Sequence, residues 1–174
     1  MWPAKVRRQF DIAQKDGNNV LENVLHAPYN KLLNTLFPVD TDFTVIPNFQ
    51  QVYSSKGFDY IVTFEIFLEN RPVFVLELER ERDFSLKSKR TSADDQLRVR
   101  LGDLCCAFGT KLCFYTIEKD TGLVTPSRNP TSHNFVTDAA PVERWNYDIL
   151  TAEGEAEFRR IVEWITNNCA ELLV

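Results

Sequence analysis

The stretch Phe58–Glu79, FDYIVTFEIFLENRPVFVLELE, decides the fold. Its two apolar runs, Tyr60 to Leu68 and Pro72 to Leu78, are dense in Val, Ile, Phe and Leu, and the polar connection Glu69-Asn70-Arg71 separates them. Residues of this kind favour strands, and a break this short favours a hairpin. The second run alternates Val73, Val75, Glu77 and Glu79 with Phe74, Leu76 and Leu78. Both faces therefore begin apolar, as in a central strand covered by helices. Asp59 heads the first strand, while Glu77 and Glu79 share a face near the end of the second. An unpaired buried carboxylate is costly, and two neighbours repel unless a proton, a basic side chain or a cation intervenes. A hard divalent cation such as Mg²⁺ suits a cluster of oxygen ligands.

On the N-terminal side of the hairpin, Ser54-Ser55-Lys56-Gly57 reads as a turn, and Phe43–Ile46 as a strand that resumes after Pro47 as far as Val52. Before it, Asn18 or Asn19 is a possible N-cap for VLENVLHAPYNKLLNTLF, with Val20, Val24, Leu32, Leu33 and Leu36 at helical spacing and Pro28 splitting the segment. Residues 1–17 read as an arm, irregular or with a short helix, ahead of one domain over 18–174.

On the C-terminal side, Arg80 to Arg90 reads as a charged loop. Ser92 with Asp95 three positions on starts a helix expected over 92–108, with Leu97, Leu101, Leu104, Cys105 and Phe108 as its apolar stripe. Gln96, Arg100 and Asp103 would then line its flank. Lys111 to Glu118 reads as a strand, and residues 125–141, with three prolines, as a long surface connection. The Trp145-centred segment would cover the core, ahead of an amphipathic helix from Glu153 to about Asn168. The order helix, three strands, helix, strand, helix predicts a single-domain α/β fold, a mixed central sheet flanked by helices.

With 174 residues, 44% hydrophobic content and 26% charge, the chain reads as one globular domain with a real core. No run reaches the roughly eighteen apolar residues of a membrane span, and MWPAKVRRQFDIAQKD lacks a signal peptide's apolar centre. The expectation is an intracellular protein, cytoplasmic or nuclear, without a membrane partner. Cys105, Cys106, Cys113 and Cys169 form no CxxC pair, which predicts reduced thiols in packing positions and no structural zinc site. A net charge of −5 argues against nonspecific coating of nucleic acid. Between Arg80 and Arg100, however, basic residues outnumber acidic ones, which places positive charge beside the carboxylates.

Together these residues resemble the PD-(D/E)XK nuclease superfamily, the restriction-endonuclease-like fold, in which a helix precedes a hairpin carrying Asp and then Glu-x-Lys, followed by a helix and a strand. Asp59 matches the first acidic position, Glu77 the second, and Glu79 stands where the lysine usually does. The stretches ENVLHAPYNKLLNTLFP, SADDQLRVRLGDL, GTKLCFYTIEK and ERWNYDIL, with the hairpin, also resemble a family of uncharacterised proteins of mushroom-forming fungi, over roughly residues 18–165. The resemblance implies a divalent-metal-dependent nuclease acting on DNA or RNA. Asp59, Glu77, the carbonyl of Leu78 and, more remotely, Glu22 would hold Mg²⁺ or Mn²⁺, with Asp59, Glu77 and Glu79 as the catalytic set. Gln96, Arg98 and Arg100, with Lys87, Lys89 and Arg90, would contact nucleic acid. Glu79 adds a carboxylate where a lysine would donate. Some restriction endonucleases of the superfamily use Glu-x-Glu; the alternative is a catalytically inactive nuclease-like domain kept as a binding or regulatory module.

Plainer readings exist for the same residues. Asp59 would suit a turn exit, and Glu77 with Glu79 a strand end paired to Arg80, Arg82 or Arg98. The basic cluster would suit a solvated loop and helix face.

Overall fold

The computed structural model describes residues 1–15, 22–54, 57–100, 103–118, 120–130 and 137–170. In chain order these form α1 (Ala4–Lys15), a 3₁₀ turn (Glu22–Leu25), α2 (His26–Leu36), β1 (Phe43–Ser54), β2 (Gly57–Leu68), β3 (Arg71–Glu79), α3 (Lys87–Arg98), β4 (Asp103–Phe108), β5 (Lys111–Ile117), β6 (Val124–Thr125), β7 (Tyr147–Asp148) and α4 (Ala152–Ala170). The strands make one mixed sheet in the order β1-β2-β3-β4-β5-β6, with β7 also on β5. β1, β2 and β3 run antiparallel as a meander, and α3 crosses over to β4, which lies parallel to β3. The expected α/β class holds: a mixed sheet with helices on both faces. Among the described residues no helix is long and apolar enough to cross a membrane.

The period-two alternation of β3 sorts the core into two layers. Phe74, Leu76 and Leu78, with Val62, Phe64 and Ile66 of β2 and Cys105 and Ala107 of β4, pack under α1, α2 and α4. Val75 faces the other way, with Leu104, Cys106 and Phe108 of β4, Cys113 and Tyr115 of β5, and Ala93 and Leu97 of α3. Trp145 closes that second layer edge-on to Phe108, 5.3 Å between ring centroids, as its segment was expected to do. All four cysteines are buried and none is joined in a disulfide.

Two expectations are corrected, for the helix over 92–108 and for the break at Pro47, and one open alternative is decided. The helix predicted over 92–108 ends at Arg98, and Asp103–Phe108 is the strand β4. Its stripe fitted a helical period, but Leu104, Cys105, Cys106, Ala107 and Phe108 are all buried, the continuous apolar run of a strand covered on both faces. Of the two readings of the N-terminal arm, irregular or with a short helix, the helical one holds: α1 lies there, and Trp2, Val6 and Phe10 enter the main core. The Trp2 indole also donates to the Ile149 carbonyl at 2.6 Å. Pro47 does not interrupt β1, which runs unbroken from Phe43 to Ser54.

The reason lies in the direction of the amides. The Glu79 carbonyl accepts from Gly109 N–H on the β4 side at 3.3 Å, so odd residues of β3 aim their amides at β4 and even ones at β2. Carried through the registers, this aims the even residues of β1 at β2 and the odd ones, Pro47 included, away from the sheet. A proline whose missing N–H faces outward costs no ladder bond and blunts an edge strand against further pairing. Pro28 is accommodated similarly, in the first turn of α2 where its N–H would have no intrahelical acceptor.

Two glycines are set by geometry. Gly109 opens the two-residue β4–β5 turn at φ +66°, the sign that a type II′ hairpin requires at that place. Gly154, in the first turn of α4, packs so close to β7 that a Cβ would fall 1.9 Å from the Asp148 carbonyl oxygen. Gly154→Ala should therefore destabilise by about 2 kcal/mol or more despite alanine's higher helix propensity. A denaturant midpoint shifted upward instead would mean that α4 does not dock against Asp148 in this way.

Candidate functional site

Glu77 sits on the α3 face of β3, with Thr63 of β2 directly opposite and Cys106 of β4 beside it. Thr63 and Cys106 are themselves buried, and Glu77 is 0% exposed. Neither carboxylate oxygen has a hydrogen-bond donor among the described residues. The nearest charge is Arg100, whose Nη2 lies 3.7 Å from Glu77 Oε2 while Nη1 lies 3.6 Å from Glu65 Oε1. These are ion-pair distances beyond hydrogen-bond length, so Arg100 screens the carboxylate without satisfying its lone pairs. Burial raises the Glu77 carboxyl to about 7, and the Arg100 charge pulls the other way. The Cys106 thiol is pushed up by its own burial, with the charges of Glu77 and Glu79 adding to the effect.

Arg100 is not on the helix where the sequence placed it. α3 is capped at Val99, and Arg100 begins the link to β4, its N–H donating to the Leu97 carbonyl at 3.0 Å. Leaving the helix is what turns its side chain toward β2 and β3. Glu65, absent from the sequence-based site, completes the group: it lies opposite Val75, two positions from Glu77's partner Thr63. The period-two pattern from Thr63 to Glu65 carried that signal.

The other predicted residues divide. Asp59 stands in β2 opposite Val52, four positions before Thr63; its side chain lies outside the described residues, as does that of Glu22, whose backbone is in the 3₁₀ turn. Glu79 is half-buried two positions beyond Glu77 on β3. The Leu78 carbonyl, expected on a metal, is aimed at β2, where its ladder partner is Val62. One of its lone pairs is thereby committed to the sheet. Gln96 projects from α3 with its Oε1 buried and without a donor, while its Nε2 lies 3.5 Å from Ser92 Oγ. Lys87 and Lys89 occupy half-exposed positions in the first turn of α3.

Arg90 and Arg98 have other work. Arg90 is buried and donates to the Ala140 carbonyl at 3.0 Å, the Phe84 carbonyl at 2.7 Å and Asp138 at 2.6 Å. Arg98 holds Asp94 through two bonds of 2.7 and 2.9 Å and reaches the Pro126 carbonyl at 2.6 Å. Both guanidiniums staple the long connection to α3, and neither is offered to a phosphate. His26 is a packing residue, stacked on Phe64 at 4.9 Å, with its ionisation pushed down by burial.

The described residues contain no group of three His, Cys, Asp or Glu side chains placed to hold a metal ion. What fits a cation is the orphaned, wholly buried carboxylate of Glu77; what competes with it is the guanidinium of Arg100. No family model matches the chain, and no curated protein or solved structure matches it.

Proposed function

We propose that the chain hydrolyses phosphodiester bonds of a nucleic acid at a divalent-cation site built on Glu77. The observation that carries this reading is a fully buried carboxylate with no donor on either oxygen, held at about 7 by burial. A native protein tolerates such a group where a ligand completes it. The element order supports the same reading, since a helix, an antiparallel meander, a crossover helix and a parallel strand is the order of the superfamily the sequence resembles. Glu77 and Asp59 would hold Mg²⁺ or Mn²⁺, and the bound cation would lower the pKa of a water and shield the phosphate charge. Glu79 adds a carboxylate on the same strand that can accept the proton of the attacking water. Arg100, 27% exposed at its side chain, can turn from Glu77 toward a non-bridging phosphate oxygen.

Glu77→Ala should cut Mg²⁺- or Mn²⁺-dependent nicking of plasmid DNA and cleavage of RNA by on the order of a hundredfold or more. Cleavage that persists in this variant at the parent rate sinks the proposal.

A second reading rests on Arg100. A guanidinium within 4 Å of both Glu65 and Glu77, with Glu79 where a lysine would stand, suits a nuclease-like domain that binds without cleaving. Calorimetry separates the two: no heat on titration with Mg²⁺ or Mn²⁺ favours the binding module, and saturable heat lost in Glu77→Ala favours the enzyme.

A further inference from the structure

The outer edge of β5 is interrupted. β7 pairs with it at Lys111 and Leu112, and β6 at Thr116 and Ile117, which leaves Cys113, Phe114 and Tyr115 between them. The Thr110 carbonyl accepts from Ile149 N–H at 2.9 Å, and Glu118 N–H donates to the Leu123 carbonyl at 2.9 Å. Even-numbered residues of β5 therefore aim their amides outward. Phe114 is the even residue in the gap, so its N–H and C=O form a donor and acceptor pair without a strand opposite among the described residues. The Cys113 thiol lies 3.9 Å from the Phe114 carbonyl, a weak contact.

This pair opens onto a cleft of about 570 Å³ whose walls include Thr116, Thr125, Asn146, Tyr147 and Trp164. The volume is that of a small-molecule site. Trp164, on α4, is 51% exposed, whereas Trp2 and Trp145 are 2% and 3% exposed. The cations at the cleft are already neutralised: Arg160 is bidentate to Glu157 at 2.9 and 2.7 Å, and Arg144 is bound to Asp94 at 3.0 Å. A phosphate would find no unpaired arginine there, so the walls suit a neutral ligand. A peptide strand would gain the amides of one outward residue only, too little for strand addition.

We propose that this cleft binds a neutral planar heterocycle whose edge carries an adjacent N–H donor and carbonyl acceptor, the pattern of uracil or guanine, with that edge on the Phe114 amides and the ring against Trp164. The proposal is independent of the nuclease reading, since Glu77 takes no part in the cleft.

The test is calorimetric titration of the intact chain with uridine and guanosine up to about 10 mM or the limit of solubility, a range that covers millimolar affinity, with cytidine and adenosine, whose bases lack that adjacent pair, as controls. Uridine or guanosine should bind saturably, more tightly than cytidine and adenosine, and quench tryptophan fluorescence. Trp164→Ala should weaken it about tenfold or more, the scale of one lost base–aromatic stack. Thr116→Trp, at an exposed wall position, should block it, and N3-methyluridine should bind at least about tenfold more weakly than uridine if uridine is the ligand. Glu77→Ala should leave binding unchanged. The proposal is overturned if neither uridine nor guanosine binds, if cytidine or adenosine binds as tightly as both, if binding is unchanged in both Trp164→Ala and Thr116→Trp, if a blocked tripeptide binds more tightly than every nucleoside, or if a folded Glu77→Ala protein no longer binds.

Discussion

Asp94→Ala is expected to lower folding stability by about 3–5 kcal/mol, the usual cost of stranding buried charge by removing one partner. Asp94 is 0% exposed and accepts four hydrogen bonds. Arg98 donates to both carboxylate oxygens at 2.7 and 2.9 Å, Arg144 to Oδ1 at 3.0 Å and the Tyr115 hydroxyl to Oδ1 at 3.1 Å. Deleting the carboxylate leaves two guanidiniums facing each other across a low-dielectric gap and takes from the buried Tyr115 phenol its carboxylate acceptor. For a chain of this length the melting temperature should fall by roughly 10 °C. The damage should also spread: Arg98 and Arg144 reach the Pro126 and Ser127 carbonyls at 2.6 and 2.5 Å, so Asp94 indirectly pins the connection that walls the β5 cleft. The neighbouring Asp95 is the internal control. Its pair with Arg128 at 2.9 Å joins side chains 47% and 43% exposed, and Asp95→Ala should cost less than about 1 kcal/mol. Equal effects in the two variants would show that the Asp94 cluster is solvated in solution.

The same cluster marks where the sequence stops being legible. Arg90, Asp94 and Arg98 lie within nine positions of a segment rich in basic residues, and a run of this kind is most simply read as a solvated face. Their burial depends on Asp138, Ala140 and Arg144, some fifty positions away on an aperiodic connection, and no local pattern announces such partners. The hairpin was legible because its information is local: period-two alternation fixes which side of β3 each residue takes, and a polar turn fixes where the chain reverses. β4 was misread because Leu97, Leu101, Leu104, Cys105 and Phe108 satisfy a helical period while Leu104–Phe108 equally satisfies a strand buried on both faces. Gly102 between Arg100 and Leu104 was the sequence signal for a break. At the N-terminus the signal is local as well: Trp2, Val6, Phe10 and Ala13 recur at helical steps and are all buried.

The candidate site shows the same division. Glu77 on a central strand beside Val75 could be found from alternation alone, and the structure gives it the complete burial that alternation implied. That Arg100 faces it could not be found, because the position of Arg100 depends on α3 ending at Arg98. A sequence that keeps helical spacing past the true end of a helix assigns every later residue to the wrong side.

Glu77→Gln should change the pH dependence of stability markedly. The Glu77 carboxyl is raised from 4.5 to about 7 by burial, with Arg100 opposing. Between those values the folded protein retains a proton that the unfolded chain has released, so stability contributed by this group is full below about 4.5 and falls as pH rises through about 7. The shift corresponds to about 3 kcal/mol lost by pH 8. Glutamine cannot ionise. In metal-free buffer with EDTA, the variant and its parent should therefore match near pH 4 and diverge to about 3 kcal/mol in the variant's favour at pH 8, measured by urea denaturation. Taking the difference between the two curves removes the titration of every other group. Parallel curves would mean that Glu77 is hydrogen-bonded or hydrated and not an orphaned buried carboxylate. Mg²⁺ then divides the two functional readings on the same pair of proteins. A cation held by the ionised carboxylate should restore the parent at pH 8 by about 2.7 kcal/mol at a hundredfold excess over Kd and leave Glu77→Gln unmoved. If Arg100 alone supplies the compensating charge, Mg²⁺ should stabilise neither protein, and the gap between them should persist at every concentration.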